Sequence, residues 1–446
     1  VKAGRFCSYF ARNEPKASGV RYSALVRRAS EQPVPATAAA SDHAAEAGAR
    51  GRAVSPPRVQ PPEPAHATAH ALLRAQLIAR IRDDGQVSRS ELSRTIGLPR
   101  STTTALVAEL LREGVITESP ARGGGAGSGS GRPATLLSLR KPEGLVAGFD
   151  FGHRHLRVAV ATGDGQVLAE ESTGLDVDRQ AGPALDCARE LLTIVLDRAG
   201  VTPDEVRAAA AGIPAPINSA TGRVGSPTIL ASWVDLDPCE ELRRRTGLTV
   251  TLGNDAAFGA LGEMTYGAAK EFTDFIYVKA SNGIGAALVL NGRLYRGSHG
   301  MAGEIGHTQI DPTGAWCRCG NRGCLEATVS IDVVRRQLEP LGLDPLNPED
   351  MEHPVATKVL AESGRTVGVV IANLCNTLNP EAVILGGDLA STGPHFTKGV
   401  RDSVRHLAQP GPALDTAVIT TSLQGRAELL GAVACAVATP YAAPAT

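Results

Sequence analysis

Two neighbouring stretches decide how this chain is read: NGIGAALVLNGRLYRGSHGMAGEIGH, residues 282–307, and CRCGNRGCLE, residues 317–326. In the second, Cys317, Cys319 and Cys324 follow the spacing C-x-C-x4-C. Gly320 and Gly323 allow the tight turns that bring closely spaced thiolates onto one ion. The other cysteines, at positions 7, 187, 239, 375 and 435, are scattered, and eight in 446 residues are too few for a disulfide scaffold. The cluster therefore reads as a metal site in a reducing cytosol. The first stretch overlaps a unit, residues 274–297, ordered strand, glycine loop, strand, turn and strand.

The same grammar returns on both sides of this unit. GLVAGFDFG (144–152) is a strand ending in Asp150 and a glycine turn, and HLRVAVAT (155–162) and QVLAEEST (166–173) follow as antiparallel strands. A helix over 183–199 buries Leu185, Leu191, Leu192, Val195 and Leu196 and leads to RAAAAGIPAPI (207–217), while PEAVILGGDLA (380–390) is a buried strand ending at Gly386-Gly387. Strand-ending glycine loops let backbone amides approach phosphates closely. One such loop is weak evidence, but recurrence in two halves predicts an α/β body of two lobes around a cleft.

Together with GNDAAFGALGE (253–263) and NPEAVILGG (379–387), the two opening stretches resemble the ROK family of bacterial sugar kinases and sugar-responsive repressors. The resemblance covers residues 145–435. It implies a two-lobed actin-like (RNase H-like ATPase) domain, with lobe 1 over 145–265, lobe 2 over 266–435 carrying a structural zinc site, and a tail over 436–446. His307 completes a Cys3His set with Cys317, Cys319 and Cys324, suited to closed tetrahedral Zn2+, and the resemblance places zinc on these same four positions. It also assigns sugar contacts to Asn254, Asp255, Glu304, His307 and Glu326. Read without it, these carboxylates near glycine turns could equally be solvated loop charges. In the family's kinases the residue matching Asp255 takes the proton of the attacking sugar hydroxyl while Mg-ATP supplies the phosphoryl group. Asp255 would be catalytic here only if that activity is retained.

The nucleotide side departs from the family pattern. Asp150, Gly152, Gly283, Gly285, Gly386 and Gly387 fall at its phosphate contacts. Where the kinases carry Asp-x-Gly-Gly-Thr, this chain reads Asp150-Phe151-Gly152-His153-Arg154. Of the kinases' Gly-Thr-Gly-x-Gly only Gly283 and Gly285 survive, and Ala215 replaces the second glycine of Gly-Ile-Pro-Gly-Pro. These losses predict impaired ATP binding beside an intact sugar side. Trp233, in a segment the family keeps near its site, reads as core.

Ahead of this body the pattern is helical. Leu72, Leu73, Leu77, Ile78 and Ile81 recur at helix spacing up to Asp83-Asp84-Gly85. Ser88 caps a second helix, with Glu91 completing a capping box and Leu92 and Ile96 inward. After the turn Gly97-Leu98-Pro99, a third helix buries Leu106, Val107, Leu110 and Leu111 and stops at Gly114. Strands at 115–117 and 134–139 flank a loop in which six of nine residues from 123 to 131 are glycine. This is a winged helix-turn-helix over 69–140, with ten arginines against six acids between 70 and 140. The start of its third helix (Arg100, Ser101, Thr102, Thr103, Thr104) would enter the major groove of double-stranded DNA, and Arg122 and Arg132 on the wing would meet phosphate or the minor groove.

A formal net charge of −1 excludes bulk polycation behaviour, so DNA binding rests on this local patch. No apolar run of 18 residues or more is present, which predicts no membrane span and a cytoplasmic protein. Residues 1–65, with eight prolines, fifteen alanines and no hydrophobic period, read as part of a disordered head over 1–68. The whole reads as a DNA-binding repressor of carbohydrate-metabolism genes. A sugar closing the lobes of a homodimer or higher homo-oligomer would re-angle its winged helices. The competing readings are an ATP-dependent sugar kinase with an added DNA-binding domain, and a zinc-stabilised sugar-binding interaction protein with an idle winged helix.

Overall fold

The computed structural model describes residues 65–439, apart from Gly114, residues 121–134 and 140–143, Ala220 and Pro227. The expected disordered head before residue 65, the Gly114 stop, Arg122 and Arg132 with the glycine-rich wing tip, and most of the tail lie outside them. Among the described residues no helix is long and apolar enough to cross a membrane.

Three helices, α1 (Ala65–Asp84), α2 (Arg89–Ile96) and α3 (Arg100–Arg112), pack with β1 (Val87–Ser88), β2 (Ile116–Pro120) and β3 (Thr135–Leu139). The first helix begins four residues ahead of the expected boundary. Leu77, Ile81, Leu92, Leu106, Val107, Leu110, Ile116 and Leu137 form its small core. Ser88 accepts the Glu91 amide at 3.3 Å while Glu91 accepts the Ser88 amide at 2.9 Å, so the capping box satisfies two orphan donors of α2. Gly97, at φ 72°, ends α2 in the left-handed conformation and donates to the Ser93 carbonyl. The sheet order is β1-β3-β2, antiparallel throughout.

The body comprises two five-stranded sheets. The first is made by β4 (Leu145–Phe151), β5 (His155–Thr162), β6 (Val167–Gly174), β7 (Val206–Ile213) and β8 (Val250–Asn254), with α4 (Ala181–Ala199), α5 (Pro238–Thr246) and α6 (Asp255–Thr265) between or after them. The second is made by β9 (Phe275–Ala280), β10 (Ile284–Leu290), β11 (Arg293–Tyr295), β12 (Ala382–Gly386) and β13 (Ala417–Thr420). Its helices are α7 (Leu325–Val329), α8 (Ile331–Leu338), α9 (Pro354–Leu378), α10 (Asp388–Ser391), α11 (Pro394–Leu407), α12 (Pro410–Asp415) and α13 (Ala427–Ala438). The strand orders, β6-β5-β4-β7-β8 and β11-β10-β9-β12-β13, are the same pattern used twice, with three antiparallel strands continued by two parallel ones. That duplication is what the recurring strand–glycine grammar encodes.

The apolar residues stack these elements in layers. Leu185, Leu192 and Val195 of α4 join Phe149, Val158 and Trp233 over the outer face of the first sheet. Trp233 is fully buried, donates its indole N–H to the Val177 carbonyl at 2.9 Å and meets Phe151 edge-on, so it is core. Val367, Ile371, Phe396 and Val400 cover the outer face of the second sheet. Between the sheets lie α6 and α13, where Phe258, Leu429 and Val433 face Val146 and Ala210 while Ala256 and Ala260 face Tyr277 and Phe275.

The two middle helices approach too closely for side chains at their crossing. A Cβ on Gly431 would stand inside the van der Waals shell of the Phe258 carbonyl, and one on Gly262 inside that of the Ala427 carbonyl. Gly431→Ala should therefore destabilise the protein by about 1–3 kcal/mol. Gly182→Ala in α4, where a Cβ meets nothing within 4 Å, should stay within about 0.5 kcal/mol. Equal changes in melting temperature for the two variants would refute this packing account.

Candidate functional site

The strand β8 ends at Asn254, whose side chain caps α6 by accepting the Ala257 amide at 3.2 Å and donates to the Ala215 carbonyl at 3.2 Å. Asp255, the next residue, is buried, and its Oδ1 accepts the Ala256 amide at 2.7 Å. Its Oδ2 accepts from Lys279 Nζ at 2.8 Å. Lys279 comes from β9 in the other sheet and lies 3.8 Å from Glu428, which accepts from the Tyr277 hydroxyl at 2.9 Å. Burial works against the ammonium charge, but the carboxylates of Asp255, Glu428 and Asp150 hold its pKa above the ordinary lysine range.

From the second lobe, the short turn Ile305–His307 and Glu304 just before it bring Glu304 and His307 into the same cleft, and α7 carries Glu326 in its first turn. Glu326 is committed at both oxygens, accepting the Ile284 amide at 3.0 Å and Arg318 Nε at 2.9 Å. Burial first, then the nearby charges of Asp255 and Glu326, pushes the Glu304 carboxyl up to about 7. Asn254, Asp255, Glu304, His307 and Glu326 thus line one cleft, together with Gly283 and Gly285.

The thiolate loop closes on His307. The donor atoms of His307, Cys317, Cys319 and Cys324 all lie within 4.8 Å of one another. Cys319 and Cys324 sulfurs are 3.7 Å apart, and Cys317 Sγ is 3.6 Å from His307 Nδ1. A tetrahedral ion with ordinary zinc–sulfur and zinc–nitrogen bonds separates its ligands by roughly 3.5–3.8 Å, so the donor set fits such an ion. Nδ1 of His307 faces the sulfurs, while Nε2 faces the cleft 3.8 Å from Glu304. One imidazole therefore faces both the thiols and the cleft.

The other phosphate-loop residues do not line the cleft. Asp150 is fully buried, with Oδ2 lying 3.0 Å from His155 Nε2 and 3.3 Å from Arg157. Gly152 packs under His155, Gly386 against Tyr277 and Gly387 against Ala280. His153, which replaces the family's second glycine, stands over the second loop: a Cβ on Gly283 would be 2.6 Å from its Nε2. His153 Nδ1 lies 2.6 Å from Asp178. The chain's own side chains thus crowd the corner where a nucleotide's phosphates would need backbone amides.

Arg318 went unassigned in the sequence. It sits between Cys317 and Cys319 and reaches across the cleft, donating to Asp178 at 3.2 Å and to the Asn282 carbonyl at 3.2 Å besides its bond to Glu326. The cysteine loop, the cleft acid Glu326 and the first lobe are joined through this one guanidinium. Nothing in local spacing reveals a contact made over 140 residues of chain, whereas Lys279, a charge amid FIYVKA, does signal a buried partner.

In the winged helix, Arg100, Ser101 and Thr104 are exposed and Thr102 is half-buried at the start of α3, which has neither a side-chain cap nor an acid in its first turn. Thr103 departs from the expectation for this polar run. It is 1% exposed and its hydroxyl lies 3.3 Å from the Pro99 carbonyl, because it shares the buried stripe of Leu106, Val107 and Leu110.

Residues 146–439 match the ROK family profile. The chain belongs to the ROK family. Residues 74–117 match the family described as winged helix-turn-helix DNA-binding. A xylose repressor of Caldicellulosiruptor bescii is 28% identical over 373 residues, covering 79% of this chain and 92% of that protein. A glucokinase of Thermotoga maritima is 27% identical over 311 residues, covering 65% of this chain and 96% of that protein. The crystal structure of a ROK family transcriptional regulator, described as a homologue of the Escherichia coli MLC protein, superposes with a TM-score of 0.66 at 25% identity, covering 82% of this ROK chain and 97% of the other.

The Arg318 bridge makes a direct prediction. In a double-mutant cycle, Arg318→Ala and Asp178→Ala should show a coupling of about 0.5–3 kcal/mol in denaturant unfolding. Strict additivity would mean that the bridge is not formed in solution.

Proposed function

We propose that this ROK protein is a sugar-responsive DNA-binding transcriptional repressor. The observation that carries this reading is the presence, in one chain, of a winged helix-turn-helix with an exposed polar helix start and a cleft lined by Asn254, Asp255, Glu304, His307 and Glu326. Its similarity to proteins named xylose repressor supports the same reading. Arg100, Ser101, Thr102 and Thr104 would face the major groove, and Arg122 and Arg132 would add wing contacts to an operator.

Zinc bound by His307, Cys317, Cys319 and Cys324 would supply a closed structural centre. Those four residues then fix the turn that carries Arg318 and hold the His307 ring at the cleft. Chelation should lower the melting temperature and abolish sugar-induced stabilisation together, and metal analysis should find one zinc per chain. Cys319→Ser should reproduce both losses. An apoprotein that melts and binds sugar like the untreated protein would refute the structural role.

The cleft keeps a cavity of about 40 Å3, and Arg318 ties Glu326 of its lining to Asp178 of the first lobe. Sugar binding therefore begins by exchanging Arg318 for hydroxyls on Glu326, which opens the bridge, rather than by closing empty lobes. The released or rearranged bridge shifts the lobes, and in an oligomer it re-angles the winged helices. Operator affinity changes only as far as the sugar binds the two lobe arrangements differently. Kinase activity is disfavoured by the ion pair of Asp255 with Lys279 and by His153 over Gly283.

The test uses the purified full chain in gel-shift titrations with its own promoter region. A sugar that changes specific binding, Arg100→Ala weakening it about tenfold or more, and no sugar-dependent ADP release from Mg-ATP are expected. Only sequence-blind, salt-sensitive binding would leave the winged helix idle, and sugar-dependent turnover lost in Asp255→Asn would make the protein a kinase.

A further inference from the structure

A second cavity, of about 260 Å3, lies beside the cleft, and Asn254 and Glu304 wall both. It opens between β8, an edge strand of the first sheet, and β11, an edge strand of the second. Two sheet edges bring backbone donors and acceptors that no neighbouring strand uses. Ser219 and Thr251 add hydroxyls, and Tyr295, 52% exposed, stands at the wall with an apolar ring face and a polar tip. That mixture of hydrogen-bonding groups with a flat ring suits a polyhydroxylated ring.

The cavity is built rather than incidental. The Ser219 amide donates to the His299 carbonyl at 2.9 Å, tying the turn of one lobe to the loop of the other. Gly300, at φ 83°, lets that loop pass so close that a Cβ would stand 2.9 Å from the Ile217 carbonyl. A cavity of about 150 Å3 admits a benzene ring, so this one has room for a pyranose with its hydroxyls.

We infer that the cavity is a second sugar subsite and that the effector is a disaccharide. This rests on the proposed sugar-binding reading of the cleft. One ring occupies the Asn254–Glu304–Glu326 side after Arg318 withdraws, and the other lies between Thr251 and Tyr295. The linkage passes Asn254 and Glu304, the two residues common to both spaces.

Isothermal calorimetry on the zinc-loaded full chain tests this with xylose, glucose and N-acetylglucosamine against xylobiose, cellobiose and chitobiose. At least one disaccharide should bind tenfold or more tightly than its monosaccharide. Thr251→Trp, which fills the outer space from an exposed position, should erase that advantage and leave monosaccharide affinity unchanged, and Tyr295→Ala should reduce disaccharide affinity several-fold. Equal binding of a monosaccharide and its dimer, untouched by Thr251→Trp, would overturn the subsite while the sugar-responsive reading stands. Binding of no sugar in either series would overturn that reading and the subsite with it.

Discussion

The ion pair between Lys279 of β9 and Asp255 at the head of α6 sets the spacing of the two sheets, and the cleft takes its shape from it. Both side chains are about 10% exposed, and Glu428 of α13 and Tyr277 of β9 close around them. Breaking a buried pair by removing one partner costs about 3–5 kcal/mol, because the remaining charge is left unsolvated. An exposed pair is worth roughly 0–1 kcal/mol. The Arg318–Asp178 contact, with side chains 29% and 26% exposed, sits between these limits. Any parting of the lobes would therefore break the Arg318 contact before the Lys279 pair, and would pivot about the buried pair.

That asymmetry explains how a fold associated with phosphoryl transfer can serve as a receptor. In the family pattern two glycine loops present bare amides to phosphate. Here His153 stands against Gly283, anchored by Asp178, and Arg318 ties that carboxylate to the second lobe. At that corner this chain carries an internal ion network of His153, Asp178 and Arg318. A ligand bound beside Glu326 would then act on the protein's own cross-cleft bonds.

How much of this was legible in the sequence depended on chain separation. Ser88 with Glu91, and Gly97 after α2, are local signals, and they fix the helix-turn-helix within a few residues. Cys317, Cys319 and Cys324 lie close enough in sequence for their spacing to mark a loop that gathers donors, and with His307 they do come together. Thr103 was readable too, since it precedes Leu106, Val107 and Leu110 by three, four and seven residues, the period of a buried stripe. Its hydroxyl drew attention away from that period. β1, two residues long, is too short for any periodic signal and exists because Val87 pairs with Leu137. Lys279 amid FIYVKA marked a buried charge without marking Asp255, and Arg318 carried no mark of Asp178, because each partner arrives from the other lobe.

The metal loop joins these observations into one coupling. Ten residues, 317–326, contain three thiolate ligands, the bridging Arg318 and the cleft acid Glu326. Ordering the thiolates orders the backbone on either side of Arg318, which removes entropy the guanidinium would otherwise lose on reaching Asp178. A ligand that pulls Glu326 away from Arg318 must in turn act on the geometry of that loop. Linkage is reciprocal, so whatever the loop's order contributes to effector affinity, the effector contributes equally to the loop's order. A metal ion held by His307 and the three thiols would therefore stabilise the cross-cleft bonds of Arg318 together with the loop itself.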